Sequence, residues 1–283
     1  MNGTLGETRR AALGHERDLV LALGGFALDV PGATLVTHER VPSPRFNFVQ
    51  GIQISAERQA AFFERVLDHY FQRALRPTFR LASPVAGHIT KALEHFGFRP
   101  RPFPRTLLFA ARPAPTDPGP FEVRPAGPAE LGTVVSFWAH ERERAEIQRS
   151  IEVVLEHPNP GEEIAPMLAW RGEVPVAALL AYRYDGIAGL HGVSTQPDER
   201  GQGAASALVA RSLELPLVRA ARVTVISADH PRIVGRLGSL GFEVAESLSE
   251  YELPADAELA LAPPGPPGPP QWRPPRRTSG PPG

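Results

Sequence analysis

The junction at residues 193–206, VSTQPDERGQGAAS, constrains the fold more than any other stretch of this sequence. An apolar run enters it, and an alanine-rich segment with helically spaced apolar residues leaves it, which predicts a strand followed by a helix. A helix N-terminus exposes unpaired backbone N–H groups and a partial positive charge, and glycine lets an anion approach them. The junction therefore predicts a phosphate-binding turn, with a glycine-rich surface turn as the alternative.

Two common phosphate-binding patterns do not fit this junction. The G-x-x-x-x-G-K-[ST] loop needs a lysine, and the junction has none. The G-x-G-x-x-G pattern fails because Ser206 stands where a third glycine or alanine belongs. Any phosphate site here must therefore be of another type.

The sequence around the junction alternates between strand and helix patterns. Residues 121–253 predict the order β-α-α-β-β-β-α-β-α-β, which is typical of an α/β arrangement on one mixed sheet. The junction follows the fourth strand of this series. A helix that begins with proline and ends in glycine, PRIVGRLGSLGF, follows the fifth strand.

Residues 121–253 resemble the GNAT (general-control-type N-acetyltransferase) superfamily. The family's first motif, [Q/R]-x-x-G-x-[G/A] after the fourth strand, is matched by Arg200, Gly203 and Ala205, and ISADHPRIVGRLGSLGF resembles its second motif. The resemblance implies a transferase that moves an acetyl group from acetyl-coenzyme A to a primary amine by direct transfer. The fold class expected is α/β (α+β), with a mixed central β-sheet flanked by helices.

Residues 81–98 and 225–242 are similar at a constant offset of 144 positions. Leu93 matches Leu237, and each segment ends in a Gly-Phe pair, Gly97–Phe98 and Gly241–Phe242. Each copy follows a strand-like run and leads into another, which favours two copies of one fold, with chance identity as the alternative. Because the first half has no glycine-rich turn, we interpret it as a degenerate GNAT-like half.

These patterns predict four segments in the chain. We expect a degenerate GNAT-like domain at 1–111, a proline-rich linker at 112–120, an acetyl-coenzyme A-binding GNAT domain at 121–253 and a disordered proline-rich tail at 254–283. The tail has too few apolar residues to bury, so a solvated segment is the simplest interpretation. A partner-binding segment is the alternative.

The resemblance implies how the cosubstrate would be held. The pyrophosphate would lie on the backbone amides of the turn, and the pantetheine arm would pair with the fourth strand where that strand parts from the fifth. The residues implied are Val193, Ser194, Thr195, Arg200, Gly201, Gly203, Ala204, Ala205 and Ser206. The Arg200 side chain could reach a phosphate or pair with Asp198 or Glu199, and we favour a backbone role for this residue.

The candidate catalytic residues are His191, Tyr182, Tyr184 and His230. By strand alternation His191 is expected on the same face as Val193, and its ordinary pKa range suits a base for an amine. The alternative is a packed strand histidine. Leu237 occupies the position at which the family usually has a tyrosine that acts as the general acid, and His230 replaces the family's usual asparagine. The resemblance therefore does not identify a general acid in this chain.

The composition of the chain limits the kinds of partner that we expect it to bind. The chain has no cysteine and a net charge of −1, which excludes thiolate chemistry and gives no global field for nucleic acid. Without a signal peptide pattern or a long apolar run, we expect a cytoplasmic protein with no membrane partner and no metal. The expected partner is a small-molecule or peptide amine, and a homodimer stays open.

Two functions from different classes remain at this point. The first is an N-acetyltransferase with one working site in the C-terminal half. The second is a coenzyme A-binding sensor or scaffold with little catalytic activity, which the loss of the family's tyrosine favours. An intact phosphate-binding turn is expected under both.

Overall fold

The computed structural model describes residues 5–110, 119–159 and 161–254. The helices are α1 (Leu5–Ala22), α2 (Gln59–Phe71), α3 (Gly87–His95), α4 (Leu131–Ser136), α5 (Glu141–Glu156), α6 (Ala204–Ser212), α7 (Pro216–Arg219) and α8 (Pro231–Ser239). The strands are β1 (Phe26–Val30), β2 (Ala33–Thr37), β3 (Phe48–Gln50), β4 (Thr78–Ala82), β5 (Arg99–Pro100), β6 (Arg105–Ala110), β7 (Glu122–Pro125), β8 (Glu163–Arg171), β9 (Val174–Tyr184), β10 (Ile187–Thr195), β11 (Val223–Ala228) and β12 (Glu243–Glu252).

The described residues form two compact units. Residues 5–26 and 103–248 make up the first, and residues 27–102 and 249–254 make up the second. The last strand, β12, is divided between them. Both units combine strands with helices, so the predicted mixed α/β architecture is confirmed.

The sheet of the first unit carries the predicted junction. Its strand order is β12-β6-β11-β10-β9-β8-β7. Only β10 and β11 are parallel neighbours in this series, and α6 lies in the connection between them. The predicted order of elements over residues 121–253 is confirmed, with α7 as an addition that is too short to show helical periodicity in the sequence.

Both faces of this sheet are covered. On one face α6 and α8 bury an apolar cluster that includes Leu190, Leu208 and Leu237. On the other face, Ala12 of α1 packs with Leu107 and other residues of β6, β11 and β12. The N-terminal helix is therefore part of the unit that contains the junction.

The second unit contains the first copy of the predicted repeat. Its strand order is β1-β2-β3-β4-β12, with β3 and β4 parallel and α2 between them along the chain. This is the same strand–helix–strand connection as β10–α6–β11. At the start of α2, however, the N-cap is Arg58 with a φ of −97°, and no glycine stands at the helix N-terminus, so the glycine turn that precedes α6 has no counterpart there.

The two copies of the repeat have the same local geometry. Gly97 and Gly241 have φ angles of 86° and 85°, in the left-handed region that glycine reaches without strain. After each glycine, the amide of the phenylalanine donates back into the helix, Phe98 to the Leu93 carbonyl at 2.9 Å and Phe242 to the Leu237 carbonyl at 3.1 Å. The Gly-Phe pairs are thus matching helix C-caps with a buried phenylalanine.

The compact units differ from the predicted domains. Residues 5–26 and β6, which the prediction placed in the N-terminal domain, belong to the first unit. Residues 249–253, predicted to belong to the C-terminal domain, belong to the second unit. Periodicity indicates the type of an element and not the sheet that it joins, so these exchanges could not be predicted. Of the linker and tail predictions, residues 111–118 and 255–283 lie outside the described residues.

The position of β6 gives a prediction about folding. β6 lies between β11 and β12 and is antiparallel to both, so a chain of residues 121–253 would lack an interior strand as well as α1. We expect that shortened chain to show no cooperative thermal unfolding by circular dichroism, whereas a chain of residues 1–254 unfolds in one cooperative step or more. A cooperative transition in the shortened chain would contradict this account of the unit.

Candidate functional site

The site is centred where β10 and β11 part. Their parallel ladder runs from Ile187 opposite Val223 to Leu190 opposite Ile226 and goes no further, although both strands continue. On its other edge β10 remains paired with β9 as far as Thr195. Residues 191–195 therefore present a backbone edge that no longer pairs with β11, as the resemblance implied.

A β-bulge interrupts β10 at this point. His191 pairs with Leu180 and Ser194 with Ala178, so β10 uses one more residue than β9 across the interval. Gly192 within the bulge has a φ of 63°, a conformation that glycine adopts readily. The bulge reorients the backbone of the strand beside the parting of β10 and β11.

The bulge also changes which side chains share a face. Val193 packs against the apolar cluster on the α6 side of the sheet. His191 lies on the opposite face, beside His15 of α1. The prediction that His191 and Val193 share a face is wrong, because simple alternation does not hold across the extra residue.

The turn after β10 has the backbone geometry of an anion site. Gly201 and Gly203 have φ angles of 80° and 97°, and Gly203 is the N-cap of α6. A Cβ at Gly201 would meet no atom within 4 Å, and one at Gly203 would meet only a Phe121 ring carbon at 3.9 Å. The space in front of both glycines is therefore open to a ligand.

The backbone amides of the turn are available. The amides of residues 201–206 donate no backbone hydrogen bond within the described part of the chain. The next amide along the chain, that of Ala207, donates to the Gly203 carbonyl at 2.9 Å. The N-cap glycine has no side chain to satisfy these donors. Several N–H groups thus stand at one helix end together with its partial positive charge.

Arg200 differs from the rest of the predicted set. Its amide donates to the Pro197 carbonyl at 3.3 Å, so this amide is used within the turn. Its guanidinium donates to the Thr195 carbonyl at 3.4 Å. Glu199, one of the two acidic partners considered for Arg200, is paired with Arg171 at 2.9 Å.

Beside the bulge, His191 forms a pair with His15. The His15 Nδ1 and His191 Nε2 atoms are 3.1 Å apart, and the two ring planes are within 4° of parallel. The other ring nitrogen of His15, Nε2, lies 3.2 Å from the Ile187 carbonyl. His15 is fully buried, whereas part of the His191 surface is accessible.

Both histidines of this pair favour the neutral form. Burial, together with a smaller effect of the adjacent His15, lowers the pKa of His191 to about 3. Burial likewise lowers the pKa of His15 to about 4, against the opposing effect of the hydrogen bond to Ile187. At neutral pH the pair therefore carries no charge, and an unprotonated imidazole lies beside the bulge.

Tyr182 supports the pair and is not free to react. Its ring lies 5.3 Å from the His15 ring, and its hydroxyl donates to the Glu162 carboxylate at 2.7 Å. Glu162 also accepts from the Asn159 amide and side chain. Burial and the Glu162 carboxylate raise the pKa of the Tyr182 phenol, so it remains a neutral donor in this network.

The other two candidates lie at opposite ends of the sheet: Tyr184 is beside the end of β10 away from the bulge, and His230 follows the carboxyl end of β11, where β10 and β11 part. Tyr184 is exposed at the end of β9, where it pairs with Ile187 at the opposite end of β10 from the turn. His230 is the N-cap of α8, and its Nδ1 accepts from the Arg232 amide at 3.2 Å. A capping bond of this kind is sufficient to explain a polar residue at that position.

An aromatic side chain covers the bulge on the face that carries His191. A Cβ added to Gly192 would lie 3.3 Å from ring carbons of Trp138, which stands between α4 and α5. Trp138 therefore packs directly over the bulge glycine. Sequence reasoning missed both Trp138 and His15, because nothing in the chain indicates that these distant residues approach β10.

The described part of the chain gives two further observations. No helix in residues 5–110, 119–159 or 161–254 is long and apolar enough to cross a membrane. Within the same ranges, no group of three or more histidine, aspartate or glutamate side chains could hold a metal ion.

Comparison with known proteins identifies a family for the part that contains the site. Residues 131–231 match the family described as Acetyltransferase (GNAT) family. This range contains β10, the bulge, the turn and α6. No protein of curated function matches the chain in sequence.

Solved structures share the fold over most of the chain. A GCN5-related N-acetyltransferase from Kribbella flavida has a TM-score of 0.61 at 16% identity, over 87% of this chain and 95% of that one. One from Sphaerobacter thermophilus has a TM-score of 0.55 at 16% identity, over 78% and 76%. A tandem GNAT protein from the clavulanic acid biosynthesis pathway has a TM-score of 0.52 at 14% identity, over 79% of each chain. At these identities the likeness concerns the fold alone.

The neutral histidine pair makes stability depend on pH. An unfolded histidine titrates near pH 6.5, whereas His191 and His15 in the folded chain titrate near 3 and 4. Between pH 6.5 and 4 the unfolded chain binds more protons, so the free energy of unfolding falls as the pH falls, by up to about 1.4 kcal/mol per pH unit for each group. We expect this slope in urea denaturation, and a shallower slope for His15→Asn.

A matched control for this experiment is His140→Asn, which replaces an exposed histidine. It should leave the slope between pH 6.5 and 4 unchanged. Equal slopes for the two variants would contradict the neutral pair.

Proposed function

Because residues 131–231 match the family described as Acetyltransferase (GNAT) family, we propose that the protein is an acetyl-coenzyme A-dependent N-acetyltransferase that acylates a primary amine by direct transfer. The observation that carries the proposal is the parting of β10 from β11 immediately before a helix N-terminus with free amides. A free strand edge and an anion site thereby follow each other along the chain. This arrangement suits a ligand with an amide-containing arm attached to a pyrophosphate.

The residues of the turn fit the pyrophosphate of acetyl-coenzyme A. The amides of Gly201, Gly203, Ala204, Ala205 and Ser206 would donate to its oxygens, and neither glycine places a Cβ in the way. Arg200 would contribute its side chain, because its amide already donates within the turn. This differs from the backbone role that the sequence favoured for Arg200.

The free edge of β10 fits the pantetheine arm. Those backbone N–H and C=O groups of Val193, Ser194 and Thr195 that point away from β9 would be offered on the side that β11 leaves unpaired. An amide near Val193 or Ser194 would donate to the acyl carbonyl oxygen, where negative charge develops during transfer. Acetyl-coenzyme A, when bound, supplies the activated thioester.

Among the four candidates, His191 is favoured as the base. It stands next to the bulge with an unprotonated imidazole, whereas Tyr182 is bound to Glu162 and His230 caps a helix. A base whose pKa lies near the operating pH contributes about 10²–10⁴-fold to such reactions. Because burial lowers the pKa of His191 to about 3, we expect its contribution to lie at the lower end of this range. Leu237 is buried and apolar, so we expect the thiolate to leave without a proton from that position.

The acceptor is proposed only as a class. Trp138 lies over the bulge on the face of the sheet that carries His191, so an amine that reaches His191 would pass beside this indole. Small-molecule and peptide amines both fit this description. The alternative function is a coenzyme A-binding sensor or scaffold, which the apolar Leu237 at the family's tyrosine position favours.

The proposal is tested by acetyl transfer to a panel of amines. The panel should contain polyamines, amino sugars and peptides with free N-termini, and thiol release from acetyl-coenzyme A should be followed continuously. We expect thiol release to depend on at least one amine. If coenzyme A binds and no amine is acylated, the enzyme proposal fails and the sensor remains.

The cofactor site is tested by Gly203→Val. A β-branched side chain at this positive φ would enter the space in front of the free amides, so we expect the Kd of coenzyme A to rise about tenfold or more, which corresponds to ~1.4 kcal/mol. The measurement is isothermal titration calorimetry.

The matched control is Gly51→Val in the connection between β3 and α2. Gly51 has a φ of 67° and nothing within 4 Å of its Cβ position, and it belongs to the other compact unit, so the variant carries similar backbone strain outside the unit that contains the turn. It should bind coenzyme A as the unaltered chain does. Equal affinities for folded Gly203→Val and Gly51→Val would overturn the placement of the pyrophosphate.

A further inference from the structure

We propose that His15 is a positioning residue, which holds the imidazole of His191 in the tautomer that leaves its Nδ1 atom unprotonated as the reacting base. This inference rests on the proposed acetyltransferase function and extends it to a residue at the start of the chain. It is based on the hydrogen bonds of the pair and on the glycine that makes room for them.

The hydrogen bonds fix the position of each proton. A backbone carbonyl accepts only, so the His15 Nε2 atom, 3.2 Å from the Ile187 oxygen, must carry a proton. A neutral imidazole has one N–H, which leaves the His15 Nδ1 atom as an acceptor. The His191 Nε2 atom, 3.1 Å away, must then be the donor, and the His191 Nδ1 atom keeps its lone pair.

The surroundings of the pair keep it neutral, as this proton count requires. His15 is fully buried, and the lowered pKa values of both histidines agree with an uncharged pair. The His191 Nδ1 atom makes no hydrogen bond to any residue that the structure describes, and His191 as a residue is half-buried, unlike His15. The acceptor nitrogen is thus the one available to a substrate.

Gly189 is an independent sign that the strand accommodates this pair. It lies two residues before His191 in β10, and a Cβ there would overlap the His191 ring and lie 2.5 Å from the His15 ring. Its backbone does not have a positive φ, so conformation alone does not require glycine. The absence of a side chain at this strand position permits the contact between the two imidazoles.

The charged and titratable groups around the pair come from three elements. Glu16 and Asp18 lie on α1, Arg105 lies on β6, and Tyr182 lies on β9. Glu16 and Arg105 form an ion pair at 2.7 Å, so their opposite effects on the imidazoles partly cancel. Burial therefore outweighs the net field of these groups.

The proton of the attacking amine passes through His191 to water. The amine nitrogen forms a bond to the acyl carbon, and its proton moves to the Nδ1 lone pair of His191. The resulting imidazolium keeps its Nε2–H bond to His15. The C–S bond breaks with its electron pair on sulfur, and His191 releases the proton to water.

The tautomer is tested directly by ¹⁵N NMR of the imidazole nitrogens, which distinguishes protonated from unprotonated nitrogen. In the unaltered chain at neutral pH we expect His191 to be protonated at Nε2 and not at Nδ1. In His15→Phe, which keeps a ring and removes the acceptor, we expect a mixture of tautomers. An Nδ1-protonated His191 in the unaltered chain would overturn the inference, whatever the enzyme activity.

Kinetics of the same variants test the consequence for catalysis. We expect kcat to fall by about 10²-fold in His191→Ala and by about 10-fold or more in His15→Phe, with the KM for acetyl-coenzyme A unchanged. His15→Asn, whose side-chain oxygen can accept from His191, should recover most of the loss. The double variant His15→Phe/His191→Ala should be no slower than His191→Ala, because the two residues act as one unit.

Two glycine variants distinguish a loss of positioning from a general defect in folding. Gly189→Ala should lower kcat as His15→Phe does, whereas Gly235→Ala, at an open helical position, should not. Additive losses in the double variant, or no rescue by His15→Asn in a folded chain, would overturn the positioning role. Full activity of His191→Ala would instead refute His191 as the base of the proposed function, while the tautomer result would stand.

Discussion

The end of the β10–β11 ladder at Leu190 and Ile226 is the constraint on which the site depends. Two parallel strands that stay paired would leave no free backbone groups between them. Because these strands part before either ends, residues 191–195 keep donors and acceptors that a ligand can use. The turn and α6 then continue directly from this free edge, so a strand edge and an anion site become one continuous surface.

The bulge directs Val193 and His191 to opposite faces of the sheet. Val193 packs into the apolar cluster on the α6 side, which anchors the strand, while His191 is directed to the face covered by α1. A regular strand would place both side chains on one face. Gly189 and Gly192 serve this arrangement in different ways, the first by leaving room for the imidazole pair and the second by adopting a positive φ beneath Trp138.

Much of this fold could be predicted from the sequence because it depends on local patterns. The junction, the order of elements from residue 121 onward and the paired Gly-Phe caps each follow from periodicity or turn chemistry. The approach of His15 to His191 could not be predicted, because 176 residues separate them and only the folded sheet brings α1 to β10. The same limit applies to β6, which belongs to the same compact unit as β10 and β11, and to the bulge, which interrupts the strand alternation.

The proposed site requires that the turn and the free edge of β10 bind one ligand together. A titration with coenzyme A, followed by amide chemical shifts in two-dimensional ¹H–¹⁵N NMR, tests this claim most directly. We expect the amides of residues 193–195 and 201–206 to shift together along one binding curve, while Gly51 in the other compact unit does not respond. Shifts confined to other parts of the chain, or no shift in residues 201–206, would contradict the account.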